Sequence, residues 1–389
     1  MNRPTTALIV FAAALANAGA APGLAQNNPP APVPAADDGA LPVAAAEARA
    51  VANSLADELE GKFVFPEVGK RYAASLRSKA AAGGYDAAGT RAKLASMLTE
   101  DVQKVAADGH LRVHVIPPEG RAEIAARRQA AAAPQAAVAA AAPVPPPSLD
   151  EARLIAPGIV YIRFSAFFGS EEATRRVTDL LAANADADTI IFDIRTHRGG
   201  GLAEMDAILP YLFGRPTGLV QMDTRLAVEQ AGGGPLADGP RLRRIAGPAE
   251  VVRREHHVVP HESERRLQDA KVYLLTAGRT ASAAEHFALA MKRTGRATLI
   301  GEATAGAGHF GGMLPLNDNF AAFIPVGRTF DPDTGEGWEG RGVSPDVEVP
   351  VADALVEARV RSGIGRDEAV RLSASVHPTA SMERRRPRG

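Results

Sequence analysis

The 389-residue chain contains no cysteine. That absence excludes disulfides, thiolate metal sites and a cysteine nucleophile. Aromatic residues make up only 5%, which disfavours a base-stacking surface. The formal net charge is -1, so the chain as a whole carries no field that would draw nucleic acid. Long apolar runs are missing too. Beyond the N-terminal stretch no segment reaches the roughly 20 residues that a membrane-spanning helix needs. What the chain does have is 46% hydrophobic content, enough at this length for one large core or two domains held without covalent links.

The first residues carry a short positive end (Met1-Asn2-Arg3), an apolar run from Thr6 to Ala21 and a small-x-small site at Gly23-Leu24-Ala25. This pattern predicts a secretory signal peptide over residues 1–25, and hence a periplasmic or secreted protein. Residues 26–42, rich in Pro, Ala and Asn, read as a disordered spacer. Residues 43–118 read as a small helical domain. Val51, Leu55 and Leu59 fall on one stripe, Pro66 interrupts, and two further amphipathic segments follow, the last ending at an Asp108-Gly109 cap signal. Leu111 to Val115 alternates like a strand. An Ala/Pro-rich linker is expected over 119–150, an α/β domain over 151–355 and a tail over 356–389. In the α/β part, apolar strands (GIVYIRF, TIIFDI, VYLLT) alternate with helical segments, which predicts a layered domain with a largely parallel sheet.

Four segments are candidates for chemistry. Ser282 begins a helix after the strand VYLLT, and Glu285 completes a capping box. A cap is a structural feature in its own right, yet a hydroxyl there also lies beside unsatisfied N–H groups and the positive end of the helix dipole. Arg198-Gly199-Gly200-Gly201 follows a buried strand and can present backbone N–H groups to an anion, or simply turn the chain. His110, in Asp108-Gly109-His110, is either structural or a general base. Glu339 lies among turn-forming residues beside the single Trp, Trp338, and can orient an imidazole or stabilise the turn. His256, His257 and His261 show no recognised ligand spacing, so no metal site is expected there. Asp193 and Arg195 are expected to hold the turn after their strand.

Together these segments resemble the tail-specific (C-terminal-processing) serine proteases, in the branch similar to interphotoreceptor retinoid-binding protein. TAGRTASAAEHFALAMKRTGRATLIGEATAG is similar to that family's nucleophile segment, VAADGHLRVHV to the end of its N-terminal domain, IIFDIRTHRGGG to its oxyanion segment and GWEGRGVSPDVEV to its C-terminal signature. The resemblance implies a ClpP/crotonase-like α/β catalytic domain preceded by a small helical domain. It implies Ser282 as nucleophile, with the N–H groups of Ala283 and of Gly199 or Gly200 as the oxyanion hole. The better-known branch uses a Ser-Lys dyad, but Ala305-Gly306-Ala307-Gly308 stands where that lysine would be. Lys292 lies ten residues along one helix, about 15 Å away. The branch with a Ser-His-Glu arrangement implies His110 as base and Glu339 as its orienter, with His309 the runner-up base. No PDZ domain has room between the helical and catalytic parts. The implied activity is hydrolysis of peptides or unfolded protein ends, with no metal and no organic cofactor. A non-catalytic binding protein on the same scaffold is the alternative, and an acyl-CoA enzyme sharing the fold is disfavoured by export.

Overall fold

The computed structural model describes residues 38–122, 148–376, 378 and 380–383. The signal-peptide reading, residues 26–37 of the expected spacer and most of the Ala/Pro-rich stretch lie outside these residues, whereas residues 38–42 are ordered rather than disordered: Asp38–Ala40 forms a short 3-10 turn and Arg91 N–H donates to the Leu41 carbonyl at 2.9 Å. Three helices come first: α1 (Ala45–Lys62), α2 (Pro66–Ala81) and α3 (Arg91–Val105). Pro66 stands at the start of α2, where its missing N–H costs nothing. Thr90 caps α3, its side chain accepting from the Lys93 N–H. Helix α3 ends three residues before Asp108. Asp108 instead folds the next turn back on itself, its Oδ1 accepting from the N–H groups of His110 and Leu111 at 2.9 Å each. A short strand, β1 (Val113–Val115), follows.

The remaining elements in chain order are β2 (Leu149–Ala156), β3 (Ile159–Phe164), α4 (Glu171–Ala183), β4 (Thr189–Asp193), α5 (Ala203–Leu212), β5 (Thr217–Arg225), α6 (Leu226–Gln230), β6 (Leu242–Ile245), β7 (Val251–Val258), β8 (Lys271–Thr276), α7 (Ala283–Arg293), β9 (Thr298–Gly301), β10 (His309–Pro315), β11 (Phe320–Phe330), β12 (Val347–Glu348), α8 (Ala354–Arg361) and α9 (Arg366–Ser373). They build two six-stranded sheets. One has the order β12-β9-β8-β4-β3-β2 and is parallel from β12 to β3, with β2 added antiparallel at the edge. Its inner strands β3, β4 and β8 are buried on both faces. Val160, Ile162, Ile190, Phe192 and Leu274 pack with α4, α5 and α7, whereas Tyr161, Ile191, Tyr273 and Leu275 pack with Leu355 and Ala358 of α8. This period-2 division explains why the strands read as continuous apolar runs.

The second sheet is antiparallel, β1-β11-β5-β7-β6, with β10 also paired to β11. The helical layer rests on it. Leu55, Leu59, Leu94 and Leu98 share one apolar cluster with Phe320, Ala322, Ile324 and Val326 of β11. Because β1 pairs with β11, the chain just before it, at His110, is carried across to the α/β layers.

Two neighbouring strands position the site. In β4 and β8 the register sets Asp193 beside Leu275, so the turns that leave their C-terminal ends lie side by side. Asp193 and Arg195 form a fully buried bidentate pair, joined by the Tyr161 hydroxyl, which donates to Asp193 at 2.6 Å. This is the anchoring role expected of them. Burial pushes the Asp193 pKa up, but the Arg195 charge outweighs it and leaves the carboxyl below its ordinary value.

Candidate active site

Ser282 caps α7 in a left-handed conformation, φ 57° and ψ -119°. Among the described residues it alone, of those other than glycine, has a positive φ. Such a conformation persists only where the surroundings hold it. Here they do. The Ser282 N–H donates to Glu285 at 2.8 Å, Ala281 N–H donates to the His197 carbonyl at 3.0 Å, and Thr280 Oγ1 donates to the Ile194 carbonyl at 2.8 Å.

The glycine turn meets this corner directly. A Cβ on Gly199 would lie 2.7 Å from Ser282 Cβ, and one on Gly200 would lie 1.8 Å from the Phe167 carbonyl oxygen, so both positions exclude a side chain. The Gly199 N–H donates to His197 Nδ1 at 3.0 Å. No acceptor within the protein is found, among the described residues, for the N–H groups of Gly200 or Ala283. Two unpaired donors thus flank the Ser282 corner.

Glu285 is completely buried, and its partners reach beyond the cap. Oε1 accepts from Thr304 Oγ1 and the Gly306 N–H, both at 2.6 Å, and Oε2 accepts from Ala307 N–H at 2.9 Å as well as from Ser282. Burial raises its pKa, and the four donors oppose that rise. Glu285→Ala leaves those donors buried without an acceptor, at about 1–3 kcal/mol each. The expected result is a lower Tm, read by thermal denaturation, as the Ser282 corner loosens.

The 304–308 segment links Ser282 to the loop bearing His110. Gly109 packs so closely on Gly306 and Ala307 that a Cβ there would lie 3.1 Å from the Gly306 carbonyl oxygen and 3.2 Å from Glu339 Oε1. Glu339 gathers three N–H groups: Gly109 on Oε1 at 2.6 Å, and Gly308 and His309 on Oε2 at 2.6 and 3.0 Å. The His110 ring stacks on Phe323, with centroids 5.0 Å apart. Its Nδ1 is buried without a partner. Burial lowers the His110 pKa, and the nearby Asp108 and Glu339 carboxylates oppose that shift. Among the described residues no hydrogen bond joins the His110 ring to Ser282 or to Glu339. Glu339 therefore grips the loop around His110 rather than the imidazole.

His309 Nδ1 bonds Asp108 Oδ2 at 2.6 Å. Asp108, His309 and Glu339 each bring one candidate ligand atom within 4.8 Å of the others. A cation gains little there, because Glu339 already accepts three N–H groups and Asp108 is committed to His309 and two backbone N–H groups. The other histidines do not converge. His256 Nδ1 meets His286 Nε2 at 2.8 Å and its Nε2 meets Asp206 at 2.9 Å, while His261 lies against Tyr211. His286 is thus part of a buried chain with His256 and Asp206. Lys292 bonds the Ser344 carbonyl and pairs with Asp346. Asp108, His197 and Thr304 were not marked by sequence reasoning as parts of the site. Their partners are set by the fold, although Asp108 stood two residues from His110.

A cavity of about 180 Å³, lined among others by Phe65, His309, Arg328, Glu339 and Arg341, lies beside the cluster. Phe65, between α1 and α2, the facing ends of β10 and β11, and the turn bearing Gly337, Glu339 and Arg341 frame it. Among the described residues no helix is long and apolar enough to cross a membrane.

Comparison with known proteins gives three findings. The profile for peptidase family S41 matches residues 158–349, and that for the N-terminal domain of S41 peptidases in eukaryotic IRBP matches residues 41–152. The chain is 26% identical over 204 residues to carboxyl-terminal-processing peptidase 3, chloroplastic, of Arabidopsis thaliana. That match spans 52% of this chain and 33% of the relative, so the chain covers about one third of the curated relative's length. Among solved structures, a candidate peptidase from Parabacteroides merdae superposes with a TM-score of 0.53 at 15% identity, covering 83% of this chain and 98% of that one. The photosystem II D1 C-terminal processing protease gives 0.49 at 14% identity, over 81% and 95%. At 15% identity the likeness to the Parabacteroides merdae protein is one of fold.

Proposed function

Because the chain belongs to peptidase family S41, we propose that it is a serine peptidase that cleaves peptide bonds through an acyl-enzyme on Ser282. The observation that carries this reading is the left-handed Ser282 corner, packed against Gly199 and flanked by two unpaired N–H groups. A strained, partly exposed serine at a helix N-terminus beside free amides suits attack on a carbonyl and stabilisation of the resulting oxyanion.

In this reading Ser282 Oγ attacks the carbonyl carbon and its proton passes to His110. The N–H groups of Ala283 and Gly200 hold the oxyanion. Gly199, whose own N–H is committed to His197, contributes by admitting Ser282 to close contact. His110 then protonates the leaving amine, and water repeats the sequence to release the acid. Glu339 serves as the negative charge near the imidazole and as the clasp of its loop. The cavity at Phe65, His309 and Arg328 receives a substrate side chain. Side chains and backbone amides suffice for every step, so no metal or cofactor is invoked. The substrate is a peptide or an unfolded protein end. The same reading has the enzyme act in the periplasm or outside the cell, which the signal-peptide pattern of residues 1–25 supports.

A fluorophosphonate probe tests the reading. The expected result is one modified peptide carrying Ser282, absent in Ser282→Ala. No labelling of folded wild-type protein, or labelling at another serine, would overturn it.

A further inference from the structure

We propose that His197 is a positioning residue for this hydrolysis, its Nδ1 pinning the Gly199 N–H so that the next N–H, that of Gly200, is held in place as an oxyanion donor. The inference rests on the oxyanion role given above to Gly200 and Ala283.

His197 lies in the turn after β4 and is completely buried. It touches both turns of the site. Nδ1 accepts the Gly199 N–H at 3.0 Å, and the His197 carbonyl accepts the Ala281 N–H, one residue before Ser282, at 3.0 Å. The turn it restrains is one that side-chain-bearing residues avoid, with φ of 107° at Gly199 and 132° at Gly200. Two consecutive peptide units are fixed there. The first carries the Gly199 N–H and is held by His197. The second carries the Gly199 carbonyl, which accepts from Phe167 N–H at 2.9 Å. Since a trans peptide points its C=O and N–H in opposite directions, that second bond turns the Gly200 N–H away from Phe167. Without the His197 pin only one of the two units stays tied.

The ring's protonation follows from the partner. An N–H facing Nδ1 requires a lone pair on Nδ1 and a proton on Nε2. Nε2 is buried and has no polar partner. An apolar side chain against Phe167, whose ring centroid lies 4.2 Å away, would fill the space without that desolvation cost. The acceptor lone pair is therefore what the imidazole adds. Burial, helped by the neighbouring Arg198 charge, pushes the His197 pKa down to about 3, so the acceptor form persists across the working range of pH.

The test compares wild type, His197→Leu and His197→Asn on a quenched fluorescent peptide that the wild type cleaves. Leu removes the acceptor, and Asn places its side-chain oxygen near the position of Nδ1. Expected are a fall in kcat of about 10²-fold for Leu with KM within about twofold, and recovery to within about fivefold of wild type for Asn. The acid limb of the pH profile should not move in either variant. Wild-type kcat in the Leu variant overturns the proposal, and so does an Asn variant as slow as Leu, which would assign the loss to packing. Nitrogen-15 imidazole spectra of the wild type give a check that does not depend on the variants folding. They should show His197 as the neutral Nε2–H tautomer down to about pH 5, and an Nδ1–H tautomer or a titration near an ordinary histidine pKa overturns the proposal. Unlabelled Ser282 in folded wild-type enzyme, with the expected tautomer still present, marks failure of the peptidase reading and of this role with it. Labelled Ser282 together with wild-type kcat in the Leu variant marks failure of the His197 inference alone.

Discussion

Peptide hydrolysis should fall by on the order of 10⁴-fold or more in Ser282→Ala, and the protein should remain folded. The loss follows from the loss of the attacking oxygen. The retained fold follows from the bonds that hold the corner without the hydroxyl, whose own part in the cap is worth about 1 kcal/mol. The corner is held by the Ser282 backbone N–H on Glu285 and by Thr280 and Ala281, none of which the substitution removes. Ser282→Gly separates the two contributions further. At φ 57° a glycine relieves strain that any side chain pays, on the order of 1 kcal/mol or more. The Gly variant should therefore be equally inactive yet melt at a higher temperature than either the wild type or the Ala variant. A Gly variant no more stable than wild type in thermal denaturation would show that the corner stores no strain, and would remove the structural reason for preferring Ser282 over an ordinary cap.

The parts of this architecture that sequence reasoning reached are those governed by local pattern. The strands of the parallel sheet are apolar on both faces, so Ile159–Phe164 and Lys271–Thr276 announce themselves as runs. The capping box at Ser282 and Glu285 is likewise local, as is the Asp193–Arg195 anchor. The antiparallel sheet was harder to see, because its charges cancel across strands rather than along them. Arg253 pairs with Asp223 of the adjacent strand, and Arg254 with Glu229 and Asp238. RREHHVV thus reads equally as a solvated loop or as one strand of a pair; it is the latter, paired with β5, with Arg254 and His256 buried. Nor did the chain after Ala354 advertise its helices, which cover the second face of the parallel sheet with a few small and aliphatic residues.

The site shows the same division. Individual residues were legible, and their wiring was not. Glu285 looked like half of a cap, but three of its four donors come from residues 19–22 positions onward. Glu339 looked like the orienter of an imidazole, and its carboxylate instead collects backbone N–H groups from both sides of the cleft. Asp108 looked like a helix terminus and is bound to His309, 201 positions away. Pairings of this kind are decided by which turns the two sheets bring together, and no periodicity within a segment records them.

That wiring leads to the second large effect. His110→Ala is expected to lower kcat by about 10²–10⁴-fold and to erase the acid limb of the pH profile. A general base works in its neutral form. Burial lowers the His110 pKa, and the Asp108 and Glu339 carboxylates only partly oppose it, so the imidazole stays neutral to lower pH than an ordinary histidine. In the wild type kcat/KM should accordingly be level through neutrality and fall only on acidification, with a midpoint below about 6.5. An alkaline midpoint would instead point to a lysine. His309 provides the control. Its Nδ1 is already bound to Asp108, and its edge contacts with Phe63 and Phe65 hold it against the helical layer. His309→Ala should therefore cost less, about tenfold, through a loosened Asp108 and a displaced His110 loop, and should keep the acid limb. If the limb disappears in His309→Ala and survives in His110→Ala, the base is His309, and the Asp108–His309 pair becomes the catalytic relay in place of His110.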